Sequence, residues 1–299
     1  MGDLFTGITV DVTVKALPES GESQTFVINR SLLCGYSTYF AGAFLSQFAE
    51  AEKQAVELSD VEPWVFRCFL GWLYTRTLCY HAAGTDEPPL SEIFERPVML
   101  EGSTCENDCL DPITWSWTGL VTLYIFADQY DCRRFREAVF EVIHVKAWQE
   151  LPRSYQPPRP ETIDYLCKHT VKENRLRLFF KELWAAFMRR IDISREDEET
   201  WTGELGKLPP AFLAECFINV KRTEAALHCI HCADNGDNLC VSTGHVSTDR
   251  RENHAWCRYH EHEGDEEKEA CVLRYFELRK RMPGRFAEDD DDDDDDDDE

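Results

Sequence analysis

The sequence lacks the short motifs that mark nucleotide-binding and hydrolytic enzymes. It has no Gly-x-x-x-x-Gly-Lys-Ser/Thr loop to cradle phosphates, no Gly-x-Gly-x-x-Gly turn, no Gly-x-Ser-x-Gly elbow and no His-Glu-x-x-His helix. His260-Glu261-His262 comes nearest to the last, but histidines two residues apart on a helix point away from each other. Positive charge is scarce: 32 Lys and Arg against 57 Asp and Glu leave a net charge of −25. The terminal run from Glu288 through ten aspartates to Glu299 supplies 12 of those charges, so the rest still carries −13. Such a body repels a phosphate backbone, and direct nucleic-acid binding is not expected. Long apolar runs are missing as well. The longest, Leu120 to Ala127, is too short to cross a bilayer, and Met1-Gly2-Asp3-Leu4-Phe5 has neither the basic start nor the apolar stretch of a secretory signal. An intracellular protein without membrane association is expected, with nucleus and cytoplasm left open. Arg279-Lys280-Arg281 reads equally as the basic end of a helix.

Aromatic residues are plentiful, with 18 Phe and 8 Trp available to fill a core, and 299 residues leave room for a main domain and a smaller companion. Ile8, Val10, Val12 and Val14 alternate with polar residues, the period-two signature of a half-buried strand. Pro18 to Gly21 makes a turn, and Thr25-Phe26-Val27-Ile28 returns as a second strand. Helical spacing follows from about Arg30 through Leu32, Leu33, Tyr36, Tyr39, Phe40 and Phe44. Val56-Glu57-Leu58 is a short strand. Pro63 then opens a helix with Val65, Phe66, Phe69, Leu70, Leu73 and Tyr74 on its buried face.

Between Cys79 and Ile113 prolines, glycines and acidic residues interrupt any period, which reads as a long insertion. A helical pair resumes at Trp117 and continues past Asp131 to Ile143. Pro157-Pro158-Arg159-Pro160 cannot sit inside a helix and is taken as a linker. The division expected is residues 1–150 as the first domain, 151–160 as linker, 161–224 as an all-helical region, 225–282 as a Cys/His-rich segment with a terminal helix, and 283–299 as a disordered acidic tail. No internal repeat is present. Cys34, Cys68, Cys132, Cys167 and Cys216 are scattered singly in apolar segments and read as reduced core filler.

The order of strands and helices, and the wording of six blocks, resembles the BTB/POZ domain. The blocks are Asp11-Val12-Thr13-Val14, Phe26 through Cys34, Ser37-Thr38-Tyr39-Phe40, Val56-Glu57-Leu58, Phe69 through Thr75, and Ala127-Asp128-Gln129-Tyr130-Asp131. The resemblance implies an α+β fold, a small sheet with packed helices. One departure is Asn29, where the family usually has His; Asn can still cap the helix that begins there. The insertion, and more weakly Thr162 to Tyr165, Leu183-Trp184 and Cys257 to His262, are similar to a large fungal group of BTB proteins. The family generally dimerises through its first helix and N-terminal strand. Members that act as substrate adaptors of cullin-based ubiquitin ligases tend to carry an apolar-x-Glu tripeptide ahead of the third strand. Phe48-Ala49-Glu50 stands there: either Phe48 fills a pocket on a cullin and Glu50 sets the orientation, or Phe48 packs under its own loop. A second role is open to the acidic tail, either engaging basic partners such as histones in a chromatin or transcription cofactor, or serving as a solubilising appendage.

Cys229-x-x-Cys232 and Cys257-x-x-His260 form two knuckles with the spacing of a tetrahedral metal site. Cys240, His254, His262 and Cys271 are alternative ligands, with His228, His231 and His245 nearby. Thiolate and imidazole favour zinc over calcium or magnesium, and a closed site of this kind would be structural. The competing readings are unmetallated side chains and, in the other direction, a zinc hydrolase. No other cofactor is expected.

Overall fold

Three valines of the first strand decide how the sheet sits. In the computed structural model β1 (Thr9–Lys15) turns Val10, Val12 and Val14 into the core and leaves Thr9, Asp11 and Lys15 outside. The structure describes residues 7–15, 23–78, 112–150, 157–190, 198–227, 239–240, 245–246, 259–262 and 264–280. Most of the expected insertion and the aspartate run therefore lie outside the described residues.

β2 (Ser23–Asn29) pairs antiparallel with β1, Val12 opposite Phe26, and β3 (Ala55–Leu58) pairs with it in parallel, Val12 opposite Val56 and Val14 opposite Leu58. The order is β2-β1-β3. A parallel partner requires a crossover, and the helices between β2 and β3 supply it. These are α1 (Arg30–Tyr36), α2 (Thr38–Leu45) and α3 (Ala49–Lys53). Asn29 caps α1 by accepting the Leu32 N–H at 3.1 Å, as the sequence suggests.

α4 (Pro63–Thr75) begins with proline at its first turn, where the missing N–H costs nothing. Its Phe66 and Phe69 have no solvent exposure. Phe66 meets Phe26 of β2 at 5.0 Å between ring centroids and Phe126 at 6.1 Å; Phe69 meets Phe126 at 5.3 Å and Phe135 at 5.2 Å. Phe126 lies on α5 (Trp117–Gln129) and Phe135 on α6 (Arg133–Glu150). α4 ends at Arg76 in the left-handed region, φ 62°, where its guanidinium lies 3.7 Å over the Tyr36 ring.

Ser37 joins the two ends of this body. Buried between α1 and α2, it accepts the Phe40 N–H at 3.1 Å as the cap of α2 and donates its hydroxyl to the Tyr130 carbonyl at 2.6 Å, 93 residues away. Thr38 donates to the Asp131 carboxylate just beside it.

The compact unit does not end at Pro157–Pro160. It runs from Met1 to Phe217. α7 (Pro160–His169) uses Pro160 as its first residue, buries Ile163 and Leu166, and shares a 2.8 Å hydrogen bond between Thr162 and Thr118 of α5. α8 (Arg175–Arg190) lays Phe179 5.4 Å from Phe140 of α6 and Phe180 5.7 Å from Trp117. Residues 1–150 and the helices after the prolines therefore share buried surface; the prolines start a helix rather than separate domains. α9 (Glu198–Gly206) has too few apolar residues to stand out in the sequence. α10 (Pro210–Leu227) is held to α8 through Glu215, which lies 3.0 Å from Lys172 and 3.2 Å from Lys181. Burial opposes ionisation of Glu215, but these two ammonium groups together keep its carboxyl below the usual range.

The second unit, Ile218 to Glu299, contains the end of α10, the two-residue strands β4 (Leu239–Cys240) and β5 (His245–Val246), and α11 (Asp265–Lys280). No helix among the described residues is long and apolar enough to cross a membrane.

Two outcomes follow from this architecture. Ser37→Ala removes a buried cap and leaves the Tyr130 carbonyl short of a donor, so it should lower stability by about 2 kcal/mol in urea unfolding. A loss near zero would mean that water replaces the hydroxyl. Burial pushes the Cys132 thiol up to about 12, with the Asp131 carboxylate adding to it, and pushes Cys216 up to about 12 as well. Both stay protonated near pH 8 and should resist alkylation in the native protein yet react after denaturation, as read by peptide mass spectrometry.

Candidate functional site

The turn between α2 and α3 is built on its backbone. α2 ends at Ser46 in extended conformation, and the Ser46 hydroxyl accepts the Phe48 N–H at 3.3 Å. Phe48 then serves as the N-cap of α3 although its side chain cannot cap, so the ring is free of any local task. Glu50 and Glu52 occupy the first turn of α3 and Lys53 the last, the arrangement the helix dipole favours. The chain leaves α3 through Gln54 at φ 51°; its carbonyl accepts the Asp11 N–H at 2.9 Å and its side-chain oxygen accepts from Arg30 at 3.1 Å. A five-residue helix is thereby fastened to β1 and α1.

Phe48 is 64 % exposed on this fastened turn. The alternative in which it packs beneath its own loop does not hold. Leu45 is 63 % exposed and Tyr39 42 %, so three large apolar side chains meet water along α2 and its exit. Leu45 and Tyr39 were legible in principle, because each directly adjoins a core residue, Phe44 or Phe40, and so faces away from the buried stripe of α2. Glu50 is half-buried. Burial raises the Tyr39 phenol above its ordinary range and the nearby Glu50 carboxylate adds to the shift, which places that carboxylate beside the exposed ring. The surface thus offers apolar anchors next to the Glu50 carboxylate.

The sheet and first helix present a different face. Val27 of β2 is 67 % exposed and Ile8, just ahead of β1, is 58 % exposed. α1 buries only Leu33 of its seven residues, leaving Leu32 and Cys34 half-buried. Burial keeps the Cys34 thiol above its ordinary value despite the opposing charge of Arg30.

In the second unit the chain brings together His260, His262 and Cys271. Their ligand atoms all lie within 4.8 Å of one another, and His260 Nδ1 is 2.9 Å from Cys271 Sγ. His260 and Tyr259 are buried; His262 and Cys271 are half-buried. Cys229, Cys232, Cys257 and His254 lie outside the described residues, and Cys240 stands in β4. Of the four residues singled out by spacing, His260 is the one whose surroundings are described, and its neighbours are two of the alternative ligands.

The sheet β2-β1-β3, the helices α1–α4 that cover it and the exposed turn at Phe48 fall within or close to one recognised unit: the family model described as BTB/POZ domain matches residues 1–95. The chain therefore carries at its N-terminus a BTB/POZ domain, a fold whose work is protein–protein interaction.

Proposed function

We propose that this protein is an adaptor that pairs with a second copy of itself through α1 and the β1 end of the sheet, and presents Phe48 and Glu50 to a cullin of a ubiquitin ligase. The observation that carries the reading is the exposure of Phe48 on a turn pinned by backbone hydrogen bonds. A large aromatic ring held in water is held against its transfer free energy, and a partner pocket that covers it gains about 1.5–3 kcal/mol from that ring alone. Because Gln54 ties α3 to β1 and Arg30, the ring is presented with little ordering entropy left to lose on binding. Glu50, two residues further along the turn and near Tyr39, rejects partners that bring negative charge and orients those that bring a cation or a hydroxyl.

The sparse burial of α1, with Val27 and Ile8 exposed nearby, supports the pairing half of the proposal. The reading is of a binding protein, not a catalyst: its working parts are surfaces. The alternative use of the acidic run on basic partners falls on residues outside those described.

Affinity purification of the tagged full-length chain, followed by mass spectrometry, tests the cullin half. The wild type should recover a cullin, and Phe48→Ala/Glu50→Ala should reduce recovery by about tenfold or more. The same substitutions touch no core residue, so thermal stability should move by no more than about 0.5 kcal/mol. No cullin with the wild type, or equal recovery with the variant, would overturn the assignment. Light scattering tests the pairing half: the dimer requires twice the 34.7 kDa chain mass, and a single chain mass at micromolar concentration would sink it.

A further inference from the structure

We propose that His260, His262 and Cys271 bind a divalent transition metal of tetrahedral preference, zinc in the first place. This inference stands apart from the adaptor reading and concerns only the second unit. Its ligand set also differs from the two-knuckle spacing in the sequence, since Cys271 lies on a helix eleven residues beyond His260.

Three features of the cluster point to a metal. The first is donor chemistry: two imidazoles and one thiol are borderline-soft ligands, which suit zinc or cobalt(II) and not calcium or magnesium. The second is scale. Zinc–nitrogen and zinc–sulfur bonds place neighbouring corners of a tetrahedron about 3.4–3.6 Å apart. Ligand atoms gathered within 4.8 Å, with His260 Nδ1 and Cys271 Sγ at 2.9 Å, need only small rotations of their side chains to reach that spacing. The third is the way the backbone delivers them. His260 and His262 sit on non-helical chain just before α11, which removes the helical geometry that would turn them apart, and their rings stand 6.1 Å apart at 86°. Cys271 reaches back from the second turn of α11. The whole set spans twelve residues, so closing it costs little loop entropy.

The His262 ligand atom lies within 4.8 Å of those of both His260 and Cys271. Asp265, Glu266 and Glu267 in the first turn of α11 make the surrounding segment anionic, which raises the local concentration of cations. On binding, the Cys271 thiol gives up its proton to become the thiolate ligand and each imidazole offers a neutral nitrogen.

Cobalt(II) is the probe. The metal-free full-length chain, kept reduced, is titrated with cobalt(II) and watched for the near-ultraviolet thiolate-to-cobalt band and the visible bands of tetrahedral cobalt, both discharged by zinc. The wild type should show them. Cys271→Ser should lose the thiolate band, and His260→Gln and His262→Gln should each weaken cobalt binding by about tenfold or more. Because His262 is only half-buried, His262→Gln keeps the test sound should Cys271→Ser disturb the segment's folding. With 13 cysteines in the chain, cobalt bands alone are insufficient. Bands unchanged in Cys271→Ser and His262→Gln would place the metal on other cysteines and overturn the proposal, as would a wild type without bands.

Discussion

One face of α4 organises the first unit. Phe66 and Phe69, a single helical turn apart, touch the sheet through Phe26, α2 through Phe40, α5 through Phe126 and α6 through Phe135. Each ring removes a large apolar area from water, and edge-to-face and tilted arrangements add to the gain. Because the same two side chains border four elements, truncating either would leave a cavity on several sides at once, the case in which surrounding structure collapses least well.

The polar contacts do a separate job. Aromatic burial is non-directional, whereas Ser37 and Thr38 specify which part of the chain comes to rest beside α2. Their partners, Tyr130 and Asp131, sit in the turn between α5 and α6, so these two hydrogen bonds fix that turn against the start of α2. Asp128 extends the same logic, accepting from Arg136 at 3.1 Å and from Asn174 at 3.3 Å, which ties the helices beyond the prolines to the α5–α6 pair.

Both candidate sites lie where the chain departs from regular structure. Phe48 caps a short helix without the side-chain oxygen a cap normally supplies, so a position that could have held Ser or Asp holds an exposed aromatic ring instead. His260 and His262 lie on non-helical chain, where residues two apart can converge. In each case local irregularity frees side chains from core duty, and a neighbouring regular element, β1 for the first and α11 for the second, limits where they go.

The sequence by itself determined the elements whose period is strong: the valine alternation of β1, the capping of α1 by Asn29, the proline start of α4 and the aromatic stripe that follows it. It also carried the BTB/POZ likeness in six short blocks of wording, five of which lie within residues 1–95, where the family model matches. Tertiary structure alone decided three matters. The prolines at 157–160 begin a helix that joins the main unit, since only contacts such as Phe179 with Phe140 reveal a shared core. Phe48 faces water, which a three-residue pattern cannot express because exposure depends on what the rest of the chain covers. Cys271, whose spacing suggested no knuckle, stands beside His260, because a helix folds distant positions back upon the turn before it.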